Sequence, residues 1–340
     1  MRQLWIPRSG PPEVLELREA ADPRPGPGEV RIRVQAAGVN FADVMGRLGL
    51  YPDLPPLPVV VGYEVAGRID AVGDGVETAR LGTDVLALTR FGGYADVVCV
   101  PHGQVFGRPP GLGAEEGAAL PVNYLTAWQL LVVMGSLERG DTVLIHSAGG
   151  GVGIAAIQIA RRLGARVFGT ASQAKHDLLR GLGVEACIDY GSEDFETRVR
   201  ELTDGRGVEL VLDAVGGPSF AKSFRCLAPT GRLGMFGMSS VATGKTRRPL
   251  SALRAALALP WFRFHPIALM NANKGVFGVN LGHLWSETDR VAGWMSALLD
   301  GVREGAIRPV IAARFRFEEA AQAHHYLQDR KNFGKVLLIP

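Results

Sequence analysis

Val143-Leu144-Ile145-His146-Ser147-Ala148-Gly149-Gly150-Gly151-Val152-Gly153 joins a compact apolar run to a helix-forming segment through a turn without bulky side chains. It reads as the dinucleotide fingerprint, with Ala148 in the first glycine position and Gly150 and Gly153 in the second and third. Gly150 would let a pyrophosphate approach the backbone, and Gly153 would let the helix pack on the strand. The anion would rest on amides at the helix N-terminus, contributed by Gly149, Gly150, Gly151 and Val152, where the dipole is positive. A glycine turn can be purely structural. Here strand, turn, helix and second strand stand in the required order, which favours a nucleotide.

Downstream, the pattern predicts strands over 166–170, 186–189, 209–213 and 231–236, with helices over 175–182 and 195–203 between them; upstream it predicts a helix over 125–134 and a strand over 142–146. Strands alternating with helices imply right-handed crossovers and a parallel sheet. Cofactor choice is read at the end of the second strand, where an NAD-binding chain places an acid about 20 residues after the turn. There is no acid: Ser172 and Lys175 follow instead, a hydroxyl and an ammonium suited to the adenosine 2′-phosphate, with Tyr190 able to complete the pocket. Lys175 as a solvated residue at a helix start is the plainer reading, but the missing acid favours NADP(H).

The N-terminal part has a different texture. Short β-branched runs at 30–37, 65–72, 85–89 and 94–100 end in Gly, Asp or Thr, and Pro23, Pro25, Pro27, Pro52, Pro55, Pro56 and Pro58 break helices between them. This predicts an irregular, mostly antiparallel β domain. Helices over 288–303 and 318–328 and a last strand over 335–339 complete the chain, and that tail is expected to rejoin the first domain. The division is therefore 1–123 with 281–340 against 124–280.

With 340 residues, two domains are expected, since one usually takes roughly 100 to 200. A hydrophobic fraction of 47% and a charged fraction of 21% exclude a disordered chain. A net charge of +3 leaves nucleic acid without a footprint beyond Lys245, Arg247 and Arg248. Cys99, Cys187 and Cys226 form no Cys-x-x-Cys pair, and no run of about 18 uncharged apolar residues occurs. A cytoplasmic protein with reduced thiols is expected.

The chain resembles the medium-chain dehydrogenase/reductase superfamily, and within it the zinc-free quinone oxidoreductases. The resemblance is carried by the glycine turn and by Ala37-Gly38-Val39-Asn40-Phe41-Ala42-Asp43, Gly49-Leu50-Tyr51-Pro52, Gly62-Tyr63-Glu64-Val65-Ala66-Gly67, Gly92-Gly93-Tyr94-Ala95 and Leu125-Thr126-Ala127. Ala272-Asn273-Lys274, Phe277-Gly278-Val279-Asn280-Leu281-Gly282 and Asn332-Phe333-Gly334-Lys335-Val336 resemble its vesicle amine transport protein branch. The resemblance implies an α/β fold: a GroES-like β domain built from both chain ends, an inserted Rossmann domain with a doubly wound parallel sheet, an active site in the cleft and a homodimer. Zinc-dependent relatives carry a cysteine where Asn40 and Asp43 stand, a Gly-His-Glu in place of Gly62-Tyr63-Glu64, and commonly a four-cysteine lobe. Without those ligands no tetrahedral metal site is expected, since Glu64 alone would not hold the ion.

Lacking a Lewis acid, a reduced enone or quinone needs hydrogen-bond donors or a delivered proton. The resemblance implies Tyr51 as that donor, its phenol being protonated at neutral pH. Asn40 is the second candidate, its amide holding the nicotinamide ribose or the substrate oxygen. Both have plainer readings, Tyr51 as a packed loop tyrosine and Asn40 as a turn residue. Asp43 is expected to cap a helix or anchor the loop, His146 to pack rather than react, and His324 and His325 to lie on the surface. Thr126, Met238, Phe277, Val279 and Asn332 match positions that touch the cofactor in the family. Residues 244–268, with Arg254, Trp261, Phe262, Arg263 and Phe264, are expected to shape the pocket or a dimer contact, a membrane surface being the third possibility. The functional expectation is a zinc-independent, NADPH-dependent reductase of quinones or of α,β-unsaturated carbonyl and enoyl compounds. Zinc-requiring reduction of a saturated carbonyl and an NADPH-binding regulatory or membrane-associated protein with little turnover are the alternatives.

Overall fold

The computed structural model describes residues 1–240 and 265–340. The basic cluster Lys245, Arg247 and Arg248, together with Arg254 and the run 261–264, lies outside the described residues. Up to residue 125 short strands dominate, namely β1 (Arg2–Ile6), β2 (Glu16–Glu19), β3 (Glu29–Val39), β4 (Val59–Val60), β5 (Glu64–Val72), β6 (Asp84–Leu88), β7 (Val97–Pro101) and β8 (Val105–Gly107). They alternate with the short helices α1 (Phe41–Arg47), α2 (Ala114–Ala118) and α3 (Pro121–Trp128). Next, β9 (Thr142–Ile145), β10 (Arg166–Ala171), β11 (Ala186–Asp189), β12 (Val208–Asp213), β13 (Leu227–Met235) and β14 (Gly275–Gly278) are interleaved with α4 (Gly151–Leu163), α5 (His176–Gly181), α6 (Phe195–Leu202), α7 (Pro218–Arg225) and α8 (Pro266–Ala272). The chain ends with α9 (Thr288–Arg303), β15 (Ile311–Arg316), α10 (Ala320–Gln328) and β16 (Lys335–Ile339).

The described residues divide into two compact units, one holding Met1–Leu125 and Leu281–Pro340, the other the residues from Thr126 to Asn280. In the first unit the main sheet runs β15-β16-β3-β5-β6-β8, with β7 also on β3. Only β15 and β16 pair in parallel there. The expected return of the tail is met: β16 lies antiparallel against β3, with Val336 opposite Val39 and Leu337 opposite Gly38. Alternating inward residues Val30, Ile32, Val34, Val65 and Ile69 pack with Val336 and Leu338 in one apolar core.

In the second unit the sheet is wholly parallel with order β11-β10-β9-β12-β13-β14. The order reverses between β9 and β12, so the crevice at the carboxyl end of β9 is the topological switch point where such sheets bind ligands. Val143, Leu144 and Ile145 are fully buried, as a strand covered on both faces requires. The expected α/β architecture is therefore present, a largely antiparallel sheet unit from both chain ends and a doubly wound parallel one between them.

Two local readings are corrected. The helix expected over 125–134 begins at Pro121, because proline is pre-set for a first helical turn, and its second half, Gln129–Val133, is a π-turn. His324 is not a surface residue: it is completely buried and its ring meets Tyr94 edge-on at 6.0 Å between centroids. Helix α10 carries it on the same inward face as Ala320 and Ala323, and burial holds its pKa well below the usual histidine range. His325, on the other side, is half-buried and pairs with Glu13 at 2.5 Å.

Candidate functional site

At the end of β9 the chain turns through Ser147, whose φ of 54° is left-handed, and enters α4 at Gly150. Gly150 N–H donates to Ser147 O at 2.8 Å, closing the turn, and Ala148 N–H donates to Thr170 O at 3.0 Å, pinning it to β10. No side chain caps α4, so the amides after Gly150 keep the orphan donors of a helix start. A Cβ on Gly153 would stand 2.5 Å from the carbonyl oxygens of both Ser147 and Ala148, so helix and turn meet only because that residue is glycine. These features fit a dinucleotide phosphate.

Beneath the turn, His146 is buried, its Nδ1 3.0 Å from Thr170 Oγ1 and its Nε2 3.0 Å from Ser223 Oγ. Ser223 in turn donates to Asp213 at 2.7 Å. Burial lowers the His146 pKa, with Asp213 opposing, so as a neutral ring it ties the end of β9 to β10 and to α7. Ser172 ends β10 as the N-cap of a short 3-10 turn that holds Lys175, half-buried, and Tyr190 is 48% exposed after β11. Thr126 lies buried on α3, Phe277 is partly buried on β14 and Val279 is buried just beyond it, while Met238 is half-buried after β13.

The first unit holds the other candidates. Asn40 is the N-cap of α1, and Asp43, three residues on, accepts its backbone N–H at 2.7 Å in the capping-box manner. Asp43 also accepts from Gly62 N–H and the Tyr94 hydroxyl, each at 3.0 Å, so it anchors two loops. Complete burial pushes its pKa up to about 7 against these donors.

The Asn40 side chain is spoken for. Its Nδ2 donates to Glu64 Oε1 at 3.0 Å and its Oδ1 accepts from Lys335 Nζ at 2.6 Å. Lys335 also pairs directly with Glu64, and both side chains are all but inaccessible. Glu64 Oε2 accepts from Val122 N–H at 2.7 Å. Gly38 makes room: a Cβ there would fall 2.5 Å from Glu64 Oε1 and 2.7 Å from Ala118 O. The pairing with Lys335 was not visible in the sequence. It means that the carboxylate at the zinc-family position already faces an ammonium, so the residues present do not fit a metal there. Asn332, buried near Lys335 in sequence, donates to Gly334 O at 3.0 Å.

Tyr51 lines a cavity of about 300 Å³ together with Asp53, Tyr63, Arg90, Phe91 and Trp285, and with residues 282, 283 and 286. Tyr51 meets Tyr63 edge-on at 6.0 Å, and Tyr63 meets Phe91 at 5.3 Å. Burial, with the charge of Asp43 adding to it, raises the Tyr63 pKa far above the usual phenol value, so this ring stays protonated. Sequence reasoning found Tyr51 but missed Phe91, Arg90 and Trp285, which come from two loops far apart in the chain.

Two family models match, the alcohol dehydrogenase GroES-like domain over residues 26–110 and the zinc-binding dehydrogenase domain over 182–338. The chain is 42% identical to the synaptic vesicle membrane protein VAT-1 homolog of Rattus norvegicus over 330 residues, covering 96% of this chain and 80% of that one. A Pseudomonas syringae quinone oxidoreductase superposes with a TM-score of 0.87 at 32% identity, covering 100% of this chain and 99% of the other. A mycobacterial protein solved in complex with NADPH superposes with a TM-score of 0.86, also at 32% identity and over the whole of both chains. The chain therefore belongs to the medium-chain dehydrogenase/reductase superfamily of oxidoreductases, in the quinone oxidoreductase-like branch of the VAT-1 homologues.

Proposed function

We propose that this oxidoreductase uses NADPH to reduce quinones or α,β-unsaturated carbonyl compounds without zinc. The observation that carries the reading is the cavity around Tyr51, lined by the rings of Tyr51, Tyr63, Phe91 and Trp285. The amides of Gly149, Gly150, Gly151 and Val152 would hold the pyrophosphate, and Ser172, Lys175 and Tyr190 the 2′-phosphate. Thr126, Met238, Phe277, Val279 and Asn332 would border the nicotinamide half. When bound, NADPH supplies the hydride. Tyr51 donates to the acceptor oxygen as negative charge builds on it, beside the rings of Tyr63 and Phe91. Asn40 acts one step back, because its amide is held by Glu64 and Lys335. Zinc independence is supported by the same pairing, which neutralises Glu64, and by the absence of sulfur or imidazole at positions 40, 43 and 63.

NADPH oxidation by metal-free protein, followed with quinones, enones, enoyl thioesters and simple aldehydes, tests the reading. Turnover of conjugated acceptors alone is expected; tight NADPH binding with no turnover would favour a regulatory binding protein. Tyr51→Phe should lower kcat about 10- to 100-fold and leave the NADPH Kd within about twofold. An unchanged kcat removes the phenol from the chemistry. Lys175→Ala should weaken NADPH by about tenfold or more and NADH hardly at all. Equal losses in titrations with the two nucleotides would overturn the 2′-phosphate assignment.

A further inference from the structure

The cavity around Tyr51 carries a cation that the chemistry above leaves unused. Arg90 follows β6, is exposed, and lines the cavity beside Phe91. Among the described residues it makes no hydrogen bond or ion pair. Elsewhere in the same unit Arg2, Arg31, Arg33, Arg108 and Arg314 each hold a carboxylate, so Arg90 is set apart by its place on the cavity rather than by its lack of a partner alone. Among the described residues that line the cavity the one carboxylate is Asp53, and its Oδ2 lies 2.8 Å from His283 Nε2 rather than on Arg90. Among the described residues, the Arg90 guanidinium thus lines an aromatic cavity without a partner. Guanidinium groups match carboxylate and sulfonate oxygens in a planar, two-pronged manner, and aromatic walls favour a flat conjugated partner. At about 300 Å³ the space suits a compact ring system rather than a long chain.

We propose that the acceptor is a planar conjugated carbonyl compound bearing an anionic substituent. Its rings lie among Tyr51, Tyr63, Phe91 and Trp285, and its carboxylate or sulfonate rests on the Arg90 guanidinium. This specifies the substrate class of the reductase reading and rests on it.

The test uses matched acceptors: 1,4-naphthoquinone with its 2-sulfonate, and cinnamaldehyde with 4-carboxycinnamaldehyde. For each pair the ratio of kcat/KM, anionic over neutral, is measured in the unaltered protein and in Arg90→Gln, Arg90→Lys and Arg90→Glu. The ratio should favour the anion, fall about tenfold in Arg90→Gln, recover partly in Arg90→Lys and drop further in Arg90→Glu. It should also shrink as salt rises, because the guanidinium is exposed. A ratio that is the same in all four proteins would overturn the proposal. If no acceptor is turned over, the reductase reading fails, and calorimetry with the naphthoquinone sulfonate decides the subsite separately. Binding that Arg90→Gln abolishes supports it, and binding that is absent or unaffected by the substitution overturns it.

Discussion

Lys335→Ala is expected to destabilise the first unit by about 3–5 kcal/mol, the cost of leaving a buried charge without its partner. Lys335 and Glu64 are both all but inaccessible, and the ammonium also holds Asn40 Oδ1 at 2.6 Å. Removing it strands the Glu64 carboxylate, whose remaining donors are Asn40 Nδ2 and Val122 N–H. The fall should appear in thermal unfolding as a melting temperature lower by roughly 10 °C. The double variant Lys335→Met with Glu64→Leu should regain most of the loss, because replacing both partners by apolar groups removes the stranded charge. A single variant that melts with the unaltered protein would show that the pair contributes no stability.

Gly153→Val should raise the Kd for NADPH and NADH alike by about two orders of magnitude, some 2.7 kcal/mol. The added carbon meets two backbone carbonyl oxygens, at 2.5 Å each, and neither can swing aside as a side chain would. Helix α4 must then lift from the turn, and the orphan amides no longer converge on one anion. Fluorescence titration with both nucleotides checks this. The parallel loss separates Gly153→Val from Lys175→Ala, which should discriminate between the nucleotides. NADPH bound within threefold of normal affinity would mean that the turn does not hold the pyrophosphate.

How much could be read beforehand followed from how local the cause was. β11 (Ala186–Asp189) and α9 (Thr288–Arg303) were anticipated to the residue, because apolar period and flanking breakers lie within each segment. The glycine turn was legible for the same reason. Helix α2 escaped notice and α1 was anticipated only through Asp43 as a cap: at five and seven residues they show too few turns for a period. His324 was misplaced because its burial depends on which face α10 turns to the sheet, a tertiary matter. The same applies to the site. Tyr51 could be named from its motif, yet Arg90 and Trp285 reach its cavity from separate loops, and Lys335 meets Glu64 across 271 positions.

The placement of β16 against β3 bears on how the protein is made. Ribosomes deliver the chain from one end, and domains generally fold as units while they emerge. The residues from Thr126 to Asn280 are synthesised before β16, so the doubly wound sheet can close while β3 still lacks its partner on that side. Glu64 meanwhile has no counter-ion, since Lys335 is translated 271 residues later. A nascent chain paused before that point would hold a complete doubly wound sheet while β3 still shows an unpaired edge to other strands.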